Sequence, residues 1–461
     1  MTTSNRTKLL VLLVFIVMGA VTMFVSPQAR AQQQQSSFGG VVEEPFADVL
    51  KRDKAAKARV MAEHQKLLEA RYDLSRRVDP DVKMTRGKPI PVGPTARLKG
   101  VTWEQLGKMT PEEIRDKGVF PYLPLPHIAH PVGGMVFPQA EVKALPRLER
   151  FDMDFDLPEH FLPEFPPAMF LISRTDLGDV SKGQTITIDN FYELFNGILN
   201  PKQLDGLRLL VTQFPQQQFN ATADRKTEKP DGMRGVACFD CHVNGHTSAA
   251  THLAGDARPQ EFRRRIDTPS LRGMNIQRLF GSQRALKSVE DFTEFEQRAA
   301  YFDGDPVLAT KKGLSILERG SQVHNMAEFQ ELLDFPPAPK LNVFGRLDRT
   351  RATESEIRGE DLFFGKAQCA VCHTPPYYTD NLMHDLKVER FFKPRMEGGM
   401  MITAQGPIKN FPLRGIKESP PYLHDGRLLT LEDTVEFFNL ILRLDLAAQE
   451  KKDLVAFMRA L

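Results

Sequence analysis

The chain has 461 residues, of which 41% are hydrophobic and 26% are charged, and its formal net charge is +2. This length suffices for two or three domains, each with its own core, and the composition is that of a globular protein. A nearly neutral chain lacks the basic surface that nucleic-acid binding requires, so the charge excludes nucleic acid as a partner.

The first 31 residues differ from the rest of the chain. A basic start is followed by an apolar run from Leu9 to Val25 and then by Ala29-Arg30-Ala31. This order predicts a signal peptide at 1–31 and export to the periplasm. The alternative is an uncleaved membrane anchor, although the 17-residue run is shorter than the roughly 20 residues of a full span. Because residues 1–31 hold three basic residues and no acid, cleavage would change the net charge to −1.

We predict that an N-terminal extension follows at 32–188. Residues 43–77 are charged and carry apolar residues at roughly helical spacing, whereas residues 86–170 are rich in proline. Proline at this density argues against long helices. The extension is therefore predicted to be mostly irregular.

From residue 189 onward the apolar residues favour helices. An amphipathic helix is predicted by five residues at spacings of three and four: Phe191, Leu194, Phe195, Ile198 and Leu199. Thr353-Glu-Ser-Glu356 predicts a capping box at the start of another helix, and one apolar helical face is formed by Leu454, Phe457, Met458 and Leu461. No stretch shows the sustained alternation of a half-buried strand. The predicted fold class is all-α.

All four cysteines lie in two motifs, Cys238-Phe-Asp-Cys241-His242 and Cys369-Ala-Val-Cys372-His373. In such a motif the two thiols attach to a haem and the histidine ligates its iron. A structural zinc site would pair two Cys-x-x-Cys units about 15–20 residues apart, whereas 127 residues separate these two. A thioredoxin-like pair explains neither the histidine nor the second copy. The motifs predict two covalently bound haem c groups.

The chain also contains an internal repeat. Leu271-Arg272-Gly273 recurs as Leu413-Arg414-Gly415 at an offset of 142 residues, and Phe280 meets Tyr422 at the same offset. The two cysteine motifs are offset by 131, so the halves differ by an 11-residue insertion. The repeat predicts two duplicated cytochrome c-type domains, at 189–340 and 341–461.

The residue on the far side of each haem iron decides whether the haem reacts with peroxide or only carries electrons. His246 and His252 are the candidates for the first haem, and either could instead hydrogen-bond a propionate. For the second haem, the candidates are Met400 or Met401, beside a glycine pair, and His424. The alternative for the methionines is packing against apolar neighbours.

Four segments of the second half carry a family resemblance: Arg358-Gly-Glu-Asp-Leu-Phe-Phe-Gly365, Phe411-Pro-Leu-Arg-Gly415, Pro421-Tyr-Leu-His-Asp-Gly-Arg427 and Asp453-Leu-Val-Ala-Phe457. They resemble the bacterial diheme cytochrome c peroxidases, whose superfamily includes the enzyme that matures methylamine dehydrogenase. A looser match extends over roughly 190–461. The resemblance implies two all-α cytochrome c domains that face one another, often with a calcium ion between them.

The resemblance also implies an activity. One haem would react with hydrogen peroxide and the other would take electrons from a small cytochrome c or a cupredoxin, and a homodimer is compatible with it. We therefore expect a periplasmic enzyme that reduces peroxide or uses it to oxidise a substrate, with His252 nearest to the family's displaceable ligand. The alternative is an electron-transfer cytochrome without catalytic activity.

Three positions depart from the family pattern. Phe438 stands where the family has a methionine or tyrosine after the His-Asp-Gly segment, and Phe280-Gly281 lacks the inter-haem tryptophan. The catalytic glutamate has no convincing counterpart, and Asp303 and Asp305 are the nearest substitutes. These departures affect the expected peroxidase activity without affecting haem attachment.

Overall fold

The structure is a computed structural model, and it describes residues 46–125, 135–150, 157–213, 236–253, 265–301, 317–393, 395–397, 400–402 and 406–461. The predicted signal peptide and Asp303 lie outside these ranges. Within the ranges, no helix combines the length and the apolar character that crossing a membrane requires.

The helices of these ranges are short apart from the first. They are α1 (Phe46–Arg71), α2 (Trp103–Lys108), α3 (Pro111–Lys117), α4 (Gln139–Ala144), α5 (Phe191–Phe195), α6 (Pro201–Leu210), α7 (Cys238–Cys241), α8 (Val289–Tyr301), α9 (His324–Gln330), α10 (Glu354–Phe364), α11 (Leu431–Leu442) and α12 (Ala448–Ala460). The capping box predicted at Thr353 is confirmed, because its side chain accepts from the Glu356 backbone N–H and the Glu356 side chain accepts in return. The predicted C-terminal helix is confirmed by α12.

The strands are two to six residues long. They are β1 (Val78–Lys83), β2 (Pro89–Pro91), β3 (Met135–Val136), β4 (Phe170–Leu171), β5 (Thr251–Leu253), β6 (Arg265–Asp267), β7 (Leu333–Asp334), β8 (Met383–His384), β9 (Arg395–Glu397), β10 (Met400–Ile402) and β11 (Ile408–Lys409). They pair as β1–β2, β4–β7, β8–β11, β9–β10 and the three-stranded β3–β5–β6, all antiparallel.

The predicted all-α fold class is wrong. The structure is 43% helical and combines its helices with several small antiparallel sheets and many irregular segments. The strands are too short to show an alternating pattern, and some pair with distant segments, as Met135 does with His252. These strands form through tertiary contacts, which local sequence patterns do not predict.

The extension contributes elements of its own to both hydrophobic cores. The first core surrounds α5, α6 and α9 and includes Met169 and Ile186, whereas the second surrounds α10, α11 and α12 and includes Ile114 and Tyr122. Prolines begin some of its elements instead of preventing them: Pro111 is the first residue of α3, where the missing N–H has no intrahelical partner.

The same helix crossing occurs near each cysteine motif. On α6, a Cβ at Gly206 would lie 1.9 Å from the Asn325 carbonyl oxygen of α9, and on α10, a Cβ at Gly359 would lie 2.0 Å from the Asp453 carbonyl oxygen of α12. Isolated bridges also recur, between Phe280 and Leu286 and between Tyr422 and Leu428. Residues 189–340 and 341–461 are called the first and the second module below, and the boundary at 340/341 stays a prediction.

A buried ion pair joins the two modules. The Arg272 guanidinium lies 2.9 Å from Oε2 of Glu418, and both residues are about 5% exposed or less. The Thr85 backbone N–H of the extension donates to the same carboxylate at 2.9 Å. Glu418 therefore links three parts of the chain.

Candidate functional site

The two cysteines of the first motif lie on a single helical turn, α7. The Asp240 carboxylate between them accepts the Ala237 backbone N–H at 2.7 Å and caps this turn. Arg147, from the extension, forms a two-pronged ion pair with Asp240, with Nη1 2.7 Å from Oδ2. The turn that carries Cys238 and Cys241 is thus stabilised by Asp240 within the motif and by Arg147 of the extension.

Each motif histidine bonds a backbone carbonyl through Nδ1. The distance is 2.9 Å from His242 to the Pro269 oxygen and 3.0 Å from His373 to the Tyr378 oxygen. Because a carbonyl oxygen only accepts, Nδ1 carries the proton and Nε2 carries the lone pair. Burial lowers the pKa of His373 to about 4, which keeps its ring neutral at pH 7. A neutral, oriented imidazole is what a metal-ligating histidine requires.

The cysteines do not have the properties of a catalytic redox pair. No disulfide joins them. Burial raises the pKa of the Cys369 thiol to about 12, and burial also raises the pKa of Cys241 and of Cys372. Reactive cysteines need a lowered pKa, because the thiolate is the nucleophile. These thiols fit covalent attachment to a cofactor better than exchange chemistry.

One cluster at the second motif has the donor atoms of a metal site. The Cys372 sulfur lies 3.5 Å from Nδ1 of His384, whose Nε2 lies 2.8 Å from Oδ2 of Asp380. A structural zinc site built on a Cys-x-x-Cys unit would use both of its cysteines. Cys369 is not part of this group, and the described residues contain no other group of three such ligands.

His246 has both ring nitrogens engaged at the junction of the modules. Nε2 donates to the Glu418 carbonyl oxygen at 3.0 Å, so Nδ1 accepts from the Ser270 hydroxyl at 2.8 Å. Burial and the nearby Arg272 lower the pKa of His246 to about 3, which agrees with a neutral ring. In this arrangement His246 joins the modules and presents no lone pair to a haem.

The other predicted ligands lie on defined backbone elements. His252 is in the middle strand of β3–β5–β6, where it faces Met135 and Ile266 in register, and not in a long loop. Met400 begins β10, opposite Glu397. The His424 carbonyl accepts the Asp267 N–H at 2.9 Å, which brings the second module's His-Asp-Gly turn to the strand next to that of His252.

Several charged residues near the motifs have no signal in the sequence. Glu141 of α4 and Glu296 of α8 both act electrostatically on the Cys241 thiol, and burial raises the pKa of Glu296 to about 7. Arg147 and Lys409 reach their partners from distant segments. For the first motif, the sequence gives one indication of a cationic partner, which is the acidic Asp240 between the two cysteines.

No protein-family model matches the chain. The cytochrome-c peroxidase IdrP1 of Pseudomonas sp. (strain SCT) is 29% identical over 25% of this chain and 41% of its own length. IdrP2 of Denitromonas iodatirespirans is 27% identical over 50% of this chain and 77% of its own. The methylamine utilization protein MauG of Methylorubrum extorquens is 29% identical over 30% of this chain and 42% of its own length. The chain thus spans about two fifths of the length of two of these relatives.

A solved MauG-like protein associated with microbial copper homeostasis is 21% identical over 49% of this chain and 81% of its own, with a TM-score of 0.37. A likeness at this TM-score does not establish a common fold. The sequence relatives, in contrast, carry names from the group that the resemblance indicated. That prediction is confirmed: the chain is a relative, at low identity, of the bacterial diheme cytochrome c peroxidase superfamily.

Proposed function

We propose that the protein is an exported diheme c-type cytochrome that reduces hydrogen peroxide or uses it to oxidise a substrate. The observation that carries this proposal is the repeated geometry of the two motifs. In each, a histidine directly after the second cysteine donates its Nδ1 proton to a backbone carbonyl, which makes Nε2 the unprotonated nitrogen, as metal ligation requires. The named relatives support the same class of protein.

The residues fit two covalent haems. Cys238 and Cys241 would hold one, with His242 as the axial ligand, and Cys369, Cys372 and His373 would hold the other. When bound, haem supplies one-electron redox chemistry and a site for peroxide. The protein orients each axial histidine and holds the first motif through the Arg147–Asp240 ion pair.

The far side of each haem decides between catalysis and electron transfer. His252 is the proposed displaceable ligand of the first haem, and Met400, Met401 or His424 is the proposed far-side ligand of the second. Phe438 packs against the second core and offers no ligand atom. Asp303 stays a prediction as the substitute for the family's catalytic glutamate. Glu296 is a second candidate, because a carboxyl with a pKa of about 7 can give and take protons at neutral pH.

The remaining parts of the proposal concern location and partners. Export through the segment 1–31 predicts a mature chain that begins at Gln32 in the periplasmic fraction. A small cytochrome c or cupredoxin would supply electrons. A calcium ion between the modules and a homodimer are carried over from the resemblance alone.

The test is electron paramagnetic resonance and absorption spectroscopy of the purified holoprotein, fully oxidised and after one-electron reduction. We expect two covalent haems per chain, at least one of them high-spin in one of these states, and a change of its absorption within seconds of adding hydrogen peroxide. Replacement of His252 by alanine should increase the high-spin fraction. His324→Ala is the matched control, because this histidine pairs with Glu290 on α8.

Two low-spin haems in both redox states, with no response to peroxide, would leave the electron-carrier alternative and remove the peroxidase. Stoichiometric zinc without haem would contradict both.

A further inference from the structure

Lys409 is a buried amine at the junction of the two modules. It is 3% exposed and lies in β11, where it pairs with Met383 of β8. Its backbone N–H donates to the Ser282 carbonyl of the first module at 2.8 Å. A strand of the second module thus bonds directly to the first module next to this buried side chain.

The surroundings of the amine suit a cation without a counter-ion. Nζ donates to Oε1 of Gln277 at 2.8 Å and lies 5.5 Å and 5.0 Å from the ring centroids of Phe280 and Phe411. Two aromatic rings at these distances stabilise a positive charge through their quadrupoles. Within the described residues, no carboxylate forms an ion pair with Lys409.

The charged groups around Lys409 come from both sides. Arg284 of the first module is a like charge, and burial together with Arg284 lowers the pKa of Lys409 to about 8. His384 of β8, which lies opposite Ile408, forms its own pair with Asp380. The guanidinium of Arg414, three residues after Phe411, donates to backbone carbonyls. The pKa of the Lys409 amine is therefore well below that of an exposed lysine.

The strand that carries Lys409 is tied directly to the second motif. The side-chain amide of Asn410 donates to the Cys372 carbonyl, and the Asn410 carbonyl accepts from the Thr379 hydroxyl at 2.9 Å. A charge on the neighbouring residue thus lies in the segment that holds the second motif in place. In a protein interior, such a charge acts on a redox centre with little screening.

We propose that Lys409 is a positioning residue for electron transfer between the modules. Its ammonium raises the reduction potential of the haem at the second motif, and at a pH where the amine is neutral it takes up a proton when that haem is reduced. The electron comes from the donor protein, the ferric iron becomes ferrous, and the proton comes from solvent. This inference rests on the diheme function proposed above.

The test is a spectroelectrochemical titration of each haem in the holoprotein between about pH 6 and pH 10. In the wild type, the potential of the second haem should be constant below about pH 8 and fall above it. Lys409→Met keeps the length and removes the charge. At pH 7 this variant should favour the oxidised form of the second haem about tenfold, which corresponds to a reduction potential about 59 mV lower. It should also abolish the pH dependence of this potential.

Two further variants keep the test decisive if Lys409→Met does not fold. Lys409→Arg should keep the potential high at every pH, because a guanidinium stays charged. Arg284→Gln removes the like charge and should move the fall in potential to higher pH. A wild-type potential that is independent of pH, with Arg284→Gln identical to it, would overturn the proposal.

This outcome is separate from the proposed peroxidase function. If substitution of Lys409 changes the haem potentials and the protein does not react with peroxide, this inference is supported and only the peroxidase activity is contradicted. Peroxide reactivity with potentials unchanged by Lys409→Met would contradict only the role of Lys409.

Discussion

Single hydrogen bonds to backbone carbonyls decide what each histidine near the motifs can do. His242 and His373 use Nδ1 for this bond, so Nε2 carries the lone pair that a metal needs. His246 uses Nε2 for its bond to the Glu418 carbonyl and accepts from Ser270 at Nδ1. Three histidines with the same side chain thus divide into two proposed ligands and one structural link.

The Arg272–Glu418 pair gives a prediction for stability. Replacement of Arg272 by methionine leaves the Glu418 carboxylate buried without its cation, which should lower the free energy of unfolding by about 3–5 kcal/mol. Urea denaturation near pH 7 measures this loss. The double variant Arg272→Met/Glu418→Leu is the control, and it should lose much less because no uncompensated charge remains. Equal losses in the single and the double variant would contradict the argument.

The same pair predicts a dependence on pH. Burial acts to raise the pKa of Glu418, but Arg272 and the Thr85 hydroxyl outweigh it and lower this pKa below 4.5. A folded-state pKa below the unfolded value contributes stability above the unfolded pKa and loses it as the pH falls through the folded value. The difference between the wild type and Arg272→Met should therefore shrink below about pH 4.5. A difference that is constant down to pH 3 would be evidence against this linkage.

The residues of the candidate site differ in how far the sequence predicts them. Cys238, Cys241 and His242 form one contiguous motif whose chemistry depends on local spacing, and the same holds for the second motif. Lys409 and Arg147 depend on partners more than 90 residues away, Gln277 and Asp240. Spacing along the chain carries no information about such contacts.

At the scale of helices, both modules rely on a glycine where two helices cross. On α10, a Cβ at Gly359 would lie 2.0 Å from the Asp453 carbonyl oxygen and 2.8 Å from the Phe457 Cβ. Both neighbours are parts of α12 that cannot rotate away. Gly359→Ala should therefore separate the helices and lower the free energy of unfolding by about 1–3 kcal/mol or more. Gly206→Ala should act similarly at the α6–α9 crossing.

The matched control for these variants is Gly107→Ala on α2. No atom lies within 4 Å of a Cβ at Gly107, so alanine should be neutral or stabilise by about 0.5–1 kcal/mol. Chemical denaturation of the three variants measures the difference. Similar stability for Gly359→Ala and Gly107→Ala would mean that the crossing tolerates a larger separation.

The elements themselves were predictable where their signals are local. The capping box at Thr353 and the apolar face of α12 are contained in a few adjacent residues. The all-α prediction failed at strands such as β3 and β5, which form because Met135 and His252 meet across more than 100 residues. The proline-rich composition of the extension indicated interrupted helices but not the helices that begin at a proline, such as α3.

At the scale of the molecule, the extension acts as part of both modules. Tyr122 lies in the second core, Met169 lies in the first, and Thr95 bonds the buried Asp433 through its N–H and hydroxyl, each at 2.7 Å. The hydroxyl of Tyr72 donates to the carbonyl of the fully buried Arg427 at 2.7 Å. The two modules thus reach their full burial only with the extension in place.

This dependence predicts the result of a truncation. A chain in which residues 1–31 are joined directly to residue 189 keeps the predicted signal peptide and both motifs but removes Leu106, Ile114 and Tyr122 from the second core. Each such side chain contributes about 1.5–3 kcal/mol on burial, and natural proteins have only about 5–15 kcal/mol to lose. We expect the truncated chain to lose cooperative unfolding, whereas a control that joins residues 1–31 to residue 46 should retain it. Circular dichroism during urea titration measures both, and an unchanged midpoint for the truncated chain would show that the modules fold without the extension.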